Sequence, residues 1–170
     1  MAHFSKNELG HVVCVVCDKP SAGVLKYADQ YGVPTLSINK ESLQNPAELI
    51  GQLRDLGADL IVLAGFLRLL PAEFVQAFQN RIVNIHPSLL PKYGGKGMYG
   101  ARVHQAVIDA GDERSGITIH YVNERYDEGS VVFQAECDVH KDDSADSLAT
   151  RIHELEHEHY SQQIERLIND

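Results

Sequence analysis

The chain has 170 residues, 44% hydrophobic and 23% charged, with a formal net charge of −9. That length fits one domain with a buried core, and the composition excludes a chain that is disordered throughout. The acidic balance argues against nonspecific nucleic-acid binding, which needs clustered Lys and Arg, but leaves room for an anion held locally by backbone N–H groups.

Met1–Gly10 is mixed and polar and lacks the apolar core of a secretory signal. His11–Cys17 (HVVCVVC) is apolar and β-branched on both faces, which predicts a strand buried between helix layers. Its C-x-x-C, Cys14 and Cys17, lies in a strand pattern and not at the helix N-terminus that a redox motif uses, so both are expected to be buried apolar fillers. With Cys137 they make an odd count without framework spacing, which suits a reducing compartment and a cytoplasmic protein.

Ser21–Tyr31 predicts a helix, with Ser21 as N-cap and Gly32 as its stop; Val33–Asn39 predicts a second strand. Pro46–Leu56 predicts a helix with Pro46 in its first turn and Gly57 just past its end. Asp59–Ala64 (DLIVLA) is a third buried strand, and neither it nor any other apolar run approaches the ~20 residues of a membrane helix. Pro71–Phe78 predicts a short helix and Arg81–His86 a fourth strand. This alternation implies an α/β fold with a mostly parallel sheet covered by helices on both faces, and ligands at the carboxyl ends of its strands.

Pro87–Gly100 holds two prolines and four glycines and reads as a long loop, a feature that in compact domains is often functional. Ala101–Ala110 predicts a helix, and Gly116–Asn123 and Ser130–Asp138 a C-terminal strand pair around the Asp127-Glu128-Gly129 turn. Ser144–Ile168 predicts a long final helix capped by Asp143 or Ser144. The whole of 1–170 is expected to form a single domain.

The chemistry centres on Arg81–Pro91 (RIVNIHPSLLP). Alternation along a strand puts Ile82, Asn84 and His86 on one face and Val83 and Ile85 on the other. Asn84 and His86 thus sit together at the carboxyl end, where an amide and an imidazole can both donate hydrogen bonds to a developing oxyanion. An isolated Asn-x-His is more often a hydrogen-bonded strand edge. The longer string Asn84-Ile85-His86-Pro87-Ser88-Leu89-Leu90-Pro91-Lys92-Tyr93, however, resembles the signature of the folate-dependent formyltransferases. Its His-Pro-Ser centre is similar to the glycinamide ribonucleotide branch; relatives that formylate other acceptors usually have Gly in place of Pro87, and formylfolate hydrolases a second His. The resemblance runs from Val12 through the last helix. It includes Ala64–Leu70 (AGFLRLL), Gly116–Val122 (GITIHYV) and Tyr126–Gly129 (YDEG).

The resemblance implies a Rossmann-like formyltransferase fold and formyl transfer from 10-formyltetrahydrofolate, as co-substrate, to the amine of glycinamide ribonucleotide in purine biosynthesis. It implies no metal, no nucleic acid, no membrane, and a monomer or homodimer. It carries Asn84 over as the oxyanion-stabilising amide, His86 as the catalytic histidine acting as imidazolium, and Asp127 as the carboxylate that orients it. A nearby anion raises a histidine's pKa, so Asp127 is expected to favour the charged form. Folate contacts are implied for Leu67, Arg68, Leu69, Leu70, Asn84, Asn123, Glu124, Arg125, Tyr126 and Asp127, partly through backbone groups, and ribonucleotide contacts for Pro87 and Glu156. Taken alone, Leu67, Leu69 and Leu70 would read as core packing. The Gly94–Gly100 loop is longer than in many members and reads alone as a flexible lid.

The family also opens with an apolar strand and a Ser-Gly-x-Gly-Ser/Thr-Asn loop that cradles phosphate. This sequence contains neither, and Met1–Asn7 resembles the tail of the helix that follows that loop. The expectation is that Met1 is an internal methionine of a longer protein, or that a partner chain supplies a strand. His153-Glu154-Leu155-Glu156-His157 is a literal H-E-x-x-H, but Tyr160 and Gln163 stand where the extended zinc motif needs Gly and a third His. It is expected to be an amphipathic helix with Glu156 reaching the substrate. Other formylfolate enzymes, including a hydrolase, and an inactive folate-binding fragment are the competing readings.

Overall fold

The computed structural model describes residues 1–169. Its elements are β1 Val15–Cys17, α1 Val24–Gln30, β2 Thr35–Ser37, α2 Lys40–Gln44, α3 Ala47–Asp55, β3 Ile61–Leu63, α4 Ala72–Ala77, β4 Ile82–His86, α5 Ala101–Ala110, β5 Arg114–Tyr121, β6 Val131–Asp138 and α6 Ala145–Asn169. The expected α/β order holds, and α5 has the predicted bounds. Met1–Asn7, expected as a helix tail, contains a short 3-10 turn at His3–Lys6.

Local chemistry sets the helix ends. Gly32, Gly57 and Gly111 follow α1, α3 and α5 with φ of 63°, 74° and 66°, the left-handed conformation that closes a helix without a Cβ penalty. Ser144 Oγ accepts the Ser147 N–H at 3.1 Å and Ser147 Oγ the Ser144 N–H at 2.9 Å, so Ser144 caps α6 as predicted. Asp143 instead pairs with Arg151, which, with two further hydrogen bonds, holds its carboxyl well below the usual range. The expected Ser21 cap is not used: α1 begins after Gly23 without a side-chain cap. Helix α2 escaped the sequence reading; a reciprocal Asn39–Ser42 cap starts it.

The strands form two hydrogen-bonded groups, β1-β2 and β3-β4-β5-β6. β1 with β2 and β3 with β4 are parallel, whereas β4 with β5 and β5 with β6 are antiparallel. The antiparallel β5-β6 pair is the predicted C-terminal one. The predicted strand over His11–Cys17 shortens to three residues because only β2 pairs with it among the described residues. For the same reason Cys14 and Cys17 are half-buried thiols and not the buried fillers expected.

One apolar cluster, built on Leu49, Ile50, Leu53, Phe74, Phe78 and Ile82, gathers Val16 and Leu36 of the first group and Ile61 and Leu63 of the second. A second cluster joins Val107 of α5, Ile117 of β5, and Leu148 and Ile152 of α6. β4 lies between them and is buried at Ile82 and Val83. Close backbone approach explains two glycines on its far side: a Cβ at Gly129 would lie 1.7 Å from the Tyr121 carbonyl oxygen, and one at Gly116 2.0 Å from that of Ala135.

Candidate active site

β4 delivers Asn84 and His86 to its carboxyl end, and the register of β5 sets His120 opposite Asn84 and Thr118 opposite His86. Thr118 fixes the chain that leaves β4. Its hydroxyl donates to the Ser88 carbonyl at 2.7 Å and accepts the Leu90 N–H at 3.0 Å. That clamp aims the Pro87–Gly100 loop back over the strand end. The Tyr93 carbonyl comes to 2.8 Å from His86 Nε2, and since a carbonyl only accepts, Nε2 carries a proton.

Asp127 arrives from the turn after β5 with φ of 57°, unusual for a residue with a side chain. Its contacts hold it there. Oδ2 accepts the Gly95 N–H at 2.9 Å and lies 3.5 Å from His86 Nδ1, while Oδ1 lies 3.6 Å from His120 Nε2. Both imidazoles are under 5% exposed. Burial pushes the Asp127 carboxyl up, but His120, the Gly95 N–H and His86 together outweigh it and hold it below the usual carboxylate range. His86 goes the other way: burial lowers its pKa more than Asp127 and the Tyr93 carbonyl raise it. The expected pull of Asp127 is therefore present, and desolvation opposes it with the larger effect.

Helix α6 forms the facing wall. His153, Glu156, His157 and Tyr160 line the same cavity from that helix. Burial raises the Glu156 pKa, with His153 and His157 pulling it partly back. Tyr160 is pushed up by burial and then by Glu156, and its protonated hydroxyl donates to the Leu63 carbonyl at 2.7 Å. From α5, His104 lines the cavity with its Nδ1 buried and without a partner among the described residues.

The cavity measures about 1020 Å³ and collects most of the residues singled out in the sequence. Asn84, His86, Pro87, Asp127 and Glu156 line it, as do Leu67, Arg68, Leu69, Asn123, Arg125 and Tyr126. Leu70 touches it but is 7% exposed and belongs to the first apolar cluster. Arg68 is paired with Asp18, just past β1, at 2.8 Å, and Arg125 with Glu128 at 3.1 Å. Glu124 departs from the expectation: it lines a neighbouring cleft with Lys40 and Gln44 and accepts from Gln76. The sequence reading missed His120, His104 and the Gly95 N–H. The detectable signal for His120 was a lone imidazole in the mostly apolar GITIHYV strand.

Set against known proteins, residues 1–164 match the family model described as formyl transferase. A chloroplastic phosphoribosylglycinamide formyltransferase of Arabidopsis thaliana is 45% identical over 156 residues, which cover 89% of this chain and 53% of that protein. The chain thus spans about half the length of the first curated relatives it matches. The phosphoribosylglycinamide formyltransferase of Haemophilus influenzae is 39% identical over 88% of this chain and 70% of its own length. The crystal structure of phosphoribosylglycinamide formyltransferase from Anaplasma phagocytophilum superposes with a TM-score of 0.90 at 34% identity, covering 99% of this chain and 79% of that one.

Proposed function

The chain belongs to the formyl transferase family, and on that premise we propose that it transfers the formyl group of 10-formyltetrahydrofolate to the amine of glycinamide ribonucleotide. One observation carries this reading: an amide, an imidazole and a carboxylate, Asn84, His86 and Asp127, converge on one cavity that faces a half-buried glutamate, Glu156, across it. The names of the relatives supply the acceptor and the pathway.

The residues have distinct tasks. The amine nitrogen attacks the formyl carbon, a C–N bond forms, and the carbonyl electron pair moves onto oxygen. Asn84 donates to that oxyanion, and a donor of this kind contributes ~10²–10³ in rate. In its neutral form His86 keeps its Nε2 proton on the Tyr93 carbonyl, so Nδ1, on the Asp127 side, is the nitrogen open to a proton. It takes the proton that the amine loses on attack. The imidazolium so formed is stabilised by Asp127, and its positive charge stabilises the oxyanion that Asn84 holds. The proton then passes to N10 as the C–N10 bond breaks, leaving tetrahydrofolate and the formylated amine. Leu67, Leu69, Asn123, Arg125 and Tyr126 border the folate side, and Pro87 and Glu156 the ribonucleotide side. Three free cysteines suit a reducing compartment, which we take to be the cytoplasm, with the chain acting as a monomer or homodimer.

The test is tetrahydrofolate release by this chain with and without glycinamide ribonucleotide, beside His86→Ala. Release that requires the ribonucleotide and falls by ~10²–10⁴ in the variant is expected. Ribonucleotide-independent release of formate would replace transfer with hydrolysis, and no release would sink the activity for this chain.

A further inference from the structure

The structure assigns a fourth residue to the reaction: we propose that His120 is a positioning residue that holds the Asn84 amide with its N–H groups, and not its carbonyl, directed at the reacting oxygen. The inference rests on the oxyanion role given to Asn84 above.

It starts from a backbone atom. His120 Nδ1 lies 2.8 Å from the carbonyl oxygen of Tyr121, the next residue. That oxygen has no proton to give, so Nδ1 donates and carries the hydrogen. In the neutral ring Nε2 is then a bare lone pair. The side-chain nitrogen of Asn84 stands 3.2 Å from it, across the β4-β5 pair that sets the two residues opposite each other. A lone pair accepts a proton but repels a carbonyl oxygen, so only one of the two amide orientations is compatible with this tautomer. Asn84 spends one N–H on His120 and keeps the second.

The alternative is costly. Rotating the amide by half a turn would oppose Oδ1 to the Nε2 lone pair inside a site where His120 is 2% exposed. A buried acceptor set against a lone pair has no partner, which makes the wrong orientation a minor species. The chain of command thus runs from the Tyr121 carbonyl through the ring to the amide. Asp127 Oδ1 also approaches the same Nε2, at 3.6 Å, farther than Asn84 at 3.2 Å.

Two measurements test this, one independent of turnover. Nitrogen-15 NMR of the uniformly labelled chain should report His120 as the Nδ1–H tautomer, with a scalar coupling across the hydrogen bond to an amide nitrogen that vanishes in Asn84→Ala. An Nε2–H tautomer, or no coupling, overturns the proposal whether or not the chain transfers formyl groups. Kinetically, His120→Met removes the acceptor and should lower kcat ~10²-fold, as for one oxyanion donor, with KM for both substrates little changed. His120→Gln, the same length but with an oxygen acceptor, should recover most of that loss at equal thermal stability. In an Asn84→Ala background His120→Met should cost nothing further, because the group it positions is gone. An equal cost in both backgrounds, or no rescue by Gln, would reduce His120 to packing. Wild-type chain that shows the coupling but no formyl transfer would instead refute the proposed function and leave this pairing standing.

Discussion

The β1-β2 ribbon and the β4-β5-β6 ribbon are made from similar apolar material but differ in depth. β1 and β2 pair over three residues each and bury none of them fully, while β5 buries six consecutive residues, Ser115–His120, along an eight-residue strand. Large apolar side chains stay open on α1, the helix that connects the first ribbon's strands, with Tyr27 58% and Val24 39% exposed. Every group of the Asn84–His86–Asp127 site comes from the second ribbon or a loop tied to it. The contrast teaches that the site is drawn from the part of the fold with paired strands on both sides, where regular elements hold side chains best.

Three perturbations would break or sharpen that contrast. The largest effect is expected from Gly129→Ala. A Cβ there would sit 1.7 Å from a backbone oxygen, so the turn must move, and a loss above ~4 kcal/mol in denaturant unfolding is expected. A variant within ~1 kcal/mol of wild type would show that the turn holding Asp127 is pliable.

Next comes a matched pair of truncations. Ile117→Ala empties a fully buried position between α5, α6 and β5 and should cost ~2–5 kcal/mol. Val24→Ala removes methyl groups that are 39% exposed on α1, beside the first ribbon, and should cost under ~1 kcal/mol. Similar losses for the two would erase the distinction between the regions.

The smallest effect is the pH dependence. Burial lowers the pKa of His86, and burial together with His153 and His86 lowers that of His104. The folded state therefore prefers these rings neutral. Their contribution is fully present above the unfolded value of ~6.5 and is lost as pH falls through the lower folded values, because the unfolded chain then binds more protons. Stability at pH 5.5 should be below that at pH 7.5 by ~1 kcal/mol, and His104→Phe should flatten the slope. A slope unchanged by that substitution would remove His104 from the account. The carboxylates, Asp127 among them, act in a lower window: its depressed pKa stabilises above ~3.9 and ceases to do so in stronger acid.

What was legible in the sequence followed from local rules. Alternation in RIVNIH put Asn84 and His86 on one face, and glycines with positive φ closed the helices where they were expected. β1 was overread because its length depends on how many neighbours pair with it, which no residue of HVVCVVC reports. The sequence reveals the anion beside His86 but not the depth at which both are buried, so the opposing pull of desolvation was not legible there. His120 was passed over for a related reason: its partner lies 36 positions away, and only the strand register brings them together. Gly95 N–H, a backbone donor, carries no side-chain signal at all.

The bond from Tyr160 to the Leu63 carbonyl gives the molecule a ruler. Glu156 and Tyr160 stand one turn apart on α6, so the phenol pegs the helix to the end of β3 while the glutamate faces the end of β4. A slide of one residue along the helix axis is ~1.5 Å, already too far for the peg to hold. The gap between the two walls of the cavity is thereby measured against the sheet by a single hydroxyl.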